Sequence, residues 1–183
     1  MSKLLRKLLK YSFLPAATMV AAKSLGIYLS AWYLGASIFT ETSATGIFTV
    51  TFYTENAHNQ FLINSISDGV LLGTMVAINL YILVKYNLYR HSKGDPRTIV
   101  KLTKFNLLRW VTDKETVFPK VFTWNVFLFS TCAVVVAKTV QQLSPTWLGV
   151  SAFIISIIFM WSLVRTFELE TARIYPKDDN NYL

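Results

Sequence analysis

Four long apolar stretches, at residues 11–35, 69–86, 122–143 and 148–167, constrain this chain more than anything else in it. Each is close to the roughly 20 residues that a helix needs to cross about 30 Å of hydrocarbon. The second and fourth are the cleanest. Residues 70–84 carry Asn79 as their one strongly polar side chain, and the polar residues of 150–164 are all serines. The first and third each hold a single lysine, Lys23 and Lys138. A chain that is 53% hydrophobic and 15% aromatic would expose large adhesive patches in water, so lipid is its better solvent.

The basic residues set the expected topology. Lys3, Arg6, Lys7 and Lys10 precede the first stretch, nine Lys and Arg lie within 85–120, and Arg165, Arg173 and Lys177 follow the core of the fourth. The other two connections, 36–68 and 144–146, contain none. The positive-inside rule then puts both termini and the middle loop on one cytoplasm-like side. The expected fold is an all-α integral membrane protein, a single domain over 1–183 with four transmembrane helices in two hairpins. Residues 86–121 form its basic inner loop and 36–68 its outer loop. A plasma or inner membrane suits this pattern, and in a mitochondrial inner membrane the basic side would be the matrix.

The net charge of +8 does not point to nucleic acid, because the bases flank apolar runs where anionic lipid headgroups lie. The first of these groups is a device of its own. Leu4, Leu5, Leu8 and Leu9 share one helical face and Lys3, Arg6, Lys7 and Lys10 the other, so residues 1–10 read as an amphipathic membrane-surface anchor. A retained anchor is expected over a cleaved signal, since the apolar run that follows is long and is interrupted by Lys23. In the outer loop, 46–53 is rich in β-branched and aromatic residues and reads as a short strand or β-hairpin within a small cap. Asn64, Ser65, Ser67 and Asp68 offer N-cap chemistry for the second helix.

Lys23 and Lys138 are the sharpest features. An ammonium inside a span costs at least about 2.5 kcal/mol on insertion scales and needs a reason. Three reasons present themselves: snorkelling to lipid phosphate, pairing with a carboxylate, or lining a substrate or ion path. Within the chain only Asp68, at the outer end of the second span, lies at comparable depth. At least one lysine is therefore expected to need an acid from another subunit.

Gly69, Gly73 and Ala77 place small residues every fourth position on the second helix, and Ala22 with Gly26 does so on the first. Such spacing lets a neighbouring helix approach closely, within this bundle first and toward a partner protein second. Shifts of 115 and 80 residues superpose Lys23 on Lys138 and Gly69 on Gly149, as two similar hairpins of one orientation would. Enzyme chemistry finds little footing. His58 and His91 fall on opposite sides of the expected membrane, no metal or nucleophile motif occurs, and Cys132 is a lone thiol in an apolar run. No cofactor is expected. The reading is a non-catalytic subunit or scaffold of a larger membrane complex, with anionic lipids and other membrane subunits as partners. A small transporter or channel, built from the two hairpins and handling an anion, is the alternative.

Overall fold

Backbone amides in hydrocarbon have no water to bond, so apolar runs close their hydrogen bonds internally as helices. The structure, a computed structural model, describes residues 3–42, 50–54, 56–94, 100, 103–104 and 117–174, with backbone alone at 3–10, 39–42, 50–53, 89–94, 117–118 and 169–174. The long helices among these residues are α1 (Lys3–Leu34), α2 (Ala57–Gly94), α3 (Val117–Val140) and α4 (Thr146–Ile174). Each contains a segment long and apolar enough to cross a membrane: Tyr11–Leu34, Ala57–Leu88, Pro119–Val140 and Thr146–Glu168. The architecture is that of a multi-pass helical membrane protein.

Helix α2 packs on both α1 and α3, and α3 packs on α4, so α2 and α3 form the middle of the bundle. Ile63, Met75, Leu128, Val135 and Ala152 are fully buried there, with Leu72, Cys132, Leu148 and Phe159 around them. The lone thiol of Cys132 is thus a free, buried apolar group. Two glycines mark the tightest contacts. A Cβ on Gly26 would lie 2.7 Å from the Ser67 Cα of α2, and one on Gly149 would lie 2.6 Å from Thr139 Oγ1 of α3. Only a bare backbone lets each helix pair approach so closely.

The helix ends explain where the chain turns. Gly35 takes φ +60; its amide bonds Trp32 O at 3.3 Å and the Ala36 amide bonds Ala31 O at 3.0 Å, a Schellman stop for α1. Gln142 takes φ 60 as well, with Gln142 N to Thr139 O at 3.0 Å and Leu143 N to Lys138 O at 2.8 Å. The same motif therefore ends α3 with a side chain in the conformation that glycine prefers. Between α1 and α2, the four-residue strands β1 (Phe39–Thr42) and β2 (Val50–Tyr53) pair antiparallel, Phe39 opposite Tyr53. Of the expected strand segment 46–53, residues 50–53 are paired, and 46–49 lie outside the described residues.

Three boundaries differ from expectation. The 36–68 connection is shorter, because α2 begins at Ala57, where Asn56 Oδ1 accepts the His58 amide at 3.0 Å and caps the helix. Asn64, Ser65, Ser67 and Asp68 are then interior helical residues. Ser65 and Ser67 instead donate their hydroxyls to Phe61 O and Asn64 O, at 2.7 and 2.9 Å. The 86–121 loop also shrinks, since α2 runs on to Gly94 and α3 starts at Val117. Residues 3–10 continue α1 as helix, and the side chains of Lys3, Arg6, Lys7 and Lys10 lie outside the described set.

Candidate functional site

Because α2 starts so early, Asp68 sits three turns inside it rather than at its end. The carboxylate meets α1 and α3 at once. Lys23 Nζ of α1 donates to Asp68 Oδ1 at 2.6 Å. Lys138 Nζ, in the last turn of α3, reaches Oδ1 at 3.0 Å and Oδ2 at 3.1 Å. Ser144, in the turn between α3 and α4, donates its hydroxyl to Oδ2 at 2.9 Å. Lys23 Nζ also donates to Ser67 Oγ at 2.6 Å.

Both ammoniums find one carboxylate in their own chain, so neither has to borrow an acid from another subunit. The geometry is lopsided. The Asp68 side chain is 1% exposed, whereas those of Lys23 and Lys138 are 24% and 26% exposed. The triad ties three helices and one turn together at a single level, each hydrogen bond being charge-assisted.

Beneath it the core is apolar. Leu72 and Met75 from α2 and Leu128, Cys132 and Val135 from α3 form apolar layers. They separate the triad from a second polar centre, where the Asn79 amide nitrogen bonds Met75 O at 2.9 Å and Trp124 O at 3.2 Å. Asn125 donates to Val121 O at 2.8 Å. The side-chain oxygens of Asn79 and Asn125 have no hydrogen-bond partner among the described residues. Asn79 thus stitches α2 to the α3 backbone, the role polar side chains take between membrane helices.

The small-residue faces divide. Ala22 is buried at 5% exposure and Gly26 touches α2. Gly69 is looser, with Leu148 Cδ1 4.0 Å from where its Cβ would be. A Cβ on Gly73 would meet nothing within 4 Å, and Gly73 and Ala77 are both exposed. The expectation that this stripe closes a contact inside the bundle is therefore corrected for Gly73 and Ala77. The side of α2 that α1 and α3 cover is instead the one bearing Leu71, Leu72, Met75 and Asn79.

The two histidines are far apart. His58 lies in the exposed first turn of α2 and His91 near the other end of that helix, about 50 Å away at 1.5 Å per residue. Among the described residues no three His, Cys, Asp or Glu are grouped to hold a metal. A shallow apolar groove of about 500 Å³, lined by Phe129, Ile157, Met160, Trp161 and Val164, lies between α3 and α4. Of the residues at the triad, sequence reasoning missed Ser144. Its nearness in sequence to Lys138 was the available signal. No protein family, curated protein or solved structure matches this chain.

Proposed function

We propose that this chain is a non-catalytic structural subunit of a multi-protein membrane assembly, docking to its partners through helix faces. Its termini and basic loop lie on the cytoplasmic side of a plasma or inner membrane, or on the matrix side of a mitochondrial one. The observation that carries this reading is the division of labour among its polar and small residues. The intramembrane charges meet one another, holding α1, α2 and α3 together. The Gly73–Ala77 face of α2 is turned outward, and among the described residues nothing lies within 4 Å of a Cβ at Gly73. Helix α1 is likewise the least covered of the four spans, with Tyr28, Trp32 and Tyr33 strongly exposed. A conducting role is less well supported, because the apolar layers below Asp68 interrupt any polar path along the core.

The test pairs composition with a substitution. The full chain, isolated from its native membrane in mild detergent, should migrate with other polypeptides in fixed ratio. Gly73→Leu should abolish that co-migration while leaving the isolated chain folded, because the added volume meets only the partner. A homogeneous species containing this chain alone, together with solute flux in reconstituted liposomes, would overturn the subunit reading.

A further inference from the structure

The triad is not neutral. Two ammoniums and one carboxylate leave an excess of one positive charge, and the carboxylate has no capacity left to balance it. Asp68 Oδ1 already accepts from Lys23 and Lys138, and Oδ2 from Lys138 and Ser144, which fills the roughly four acceptor positions of a carboxylate. Lys23 gives two of its three protons to Asp68 and Ser67, and an ammonium has three donors. The negative member is closed off while both positive members remain about a quarter exposed. The side chains through which the cluster reaches its surroundings are therefore the two cationic ones, from α1 and α3.

Its depth selects the anion. Asp68 stands seventeen residues from Lys85 along α2, Lys138 eighteen from Lys120 along α3, and Trp147 eighteen from Arg165 along α4. At 1.5 Å per residue these are about 25–27 Å. Lys85, Lys120 and Arg165 mark one bilayer edge, where the Arg165 guanidinium lies 5.7 Å from the Trp161 ring. With about 30 Å of hydrocarbon, the triad then sits just under the opposite headgroup layer, within reach of long lysine stems.

We propose that the open side of the Lys23–Asp68–Lys138 triad binds one phosphate group, supplied by a phospholipid headgroup of the leaflet on the α3–α4 turn side. This goes beyond the subunit reading and rests only on the helices spanning a bilayer. The bound phosphate neutralises the excess charge and accepts the remaining ammonium protons.

Native mass spectrometry of the full chain in mild detergent tests it, with three probes. These are phosphatidylglycerol, an uncharged glycolipid with the same acyl chains, and inorganic phosphate. One phosphatidylglycerol should be retained about tenfold more tightly than the glycolipid, the worth of a charge-assisted contact. Lys138→Met brings the cluster to zero charge and should remove that preference. Lys138→Met with Asp68→Asn restores one positive charge and should restore it. Should Lys138→Met not fold, the apolar variant Lys23→Met, Asp68→Leu, Lys138→Met carries the same test and should show no preference. Displacement by millimolar inorganic phosphate would assign the site to a free anion; no displacement assigns it to lipid. Equal phosphatidylglycerol retention by the unmodified and zero-charge proteins would overturn the proposal.

Discussion

Replacing Asp68 by asparagine keeps the shape of the side chain and removes the one negative charge that two ammoniums share. Taking one partner out of a buried ion pair costs about 3–5 kcal/mol, because the charge left behind is poorly solvated. Here two charges are left, and their partial exposure of 24% and 26% relieves some of that penalty, so about 3–5 kcal/mol stands for the site as a whole. For a chain of this size each kcal/mol moves the melting temperature by about 2–4 °C. Asp68→Asn should therefore melt about 6–20 °C below the unmodified protein in mild detergent. Lys138→Met should be milder, since it leaves a neutral Lys23–Asp68 pair. Lys23→Met should exceed it, because Lys23 makes the shorter bond and also holds Ser67. Replacing all three by Met, Leu and Met should recover most of the loss, as apolar substitutes for buried ion clusters do. An Asp68→Asn protein melting within about 2 °C of the unmodified one, or a triple variant no better than Asp68→Asn, would refute the claim that this cluster holds the helices together.

Three further outcomes follow from the packing and the turns. Gly26→Ala should lower stability and disturb α1–α2 packing, because its Cβ would lie 2.7 Å from backbone at Ser67; Gly73→Leu should leave the melting temperature of the isolated chain nearly unchanged, and thermal denaturation of both in detergent checks the contrast. Gln142→Gly should raise stability by up to about 1 kcal/mol, since it relieves a left-handed backbone at a non-glycine residue, readable in the same assay. In a Cys132→Ala background, a thiol at Thr146 should react with an impermeant reagent added outside sealed cells and one at Ser92 should not; labelling of Ser92 would sink the proposed orientation.

The four spans were legible in the sequence because hydrocarbon imposes a length and a composition that few other constraints mimic. What hydropathy could not show was the first three turns of α2. His58, Asn59, Gln60, Asn64, Ser65 and Ser67 read as loop residues, yet their helix is nucleated by the Asn56 cap and held by Ile63 at full burial and by Gly26 against Ser67. Misplacing that boundary put Asp68 at a helix end and hid that one carboxylate can serve both lysines. The spacing of Gly69, Gly73 and Ala77 was equally plain and equally silent about direction, because a four-residue repeat marks a face without naming what covers it. The buried Asn125 left no signal beyond its residue type, since a single polar side chain in an apolar run is compatible with either side of a helix.

One carboxylate between two lysines also limits how the two hairpins can meet. Lys23 and Asp68 belong to the α1–α2 hairpin, and their pairing at 2.6 Å makes that hairpin locally neutral before α3 is considered. Lys138 and Ser144 belong to the other hairpin, and both bond Asp68. A displacement of α3 by one turn, about 5.4 Å along its axis, would carry the Lys138 ammonium out of hydrogen-bonding range and leave a lone charge beneath the headgroups. Apolar layers such as Leu72, Met75, Leu128 and Val135 do not discriminate registers so sharply, because lipid tails are as apolar as the side chains themselves. The triad and the Asn79 bond to Trp124 O, some eleven residues lower on α2, fix register at two heights. Two such points determine both the position and the tilt of α3 against α2. The Lys23–Asp68 pair ties α1 to α2 at the first of these heights, so the exposed faces at Gly73 and along α1 are held in a constant relation to each other, as the docking role proposed above would need.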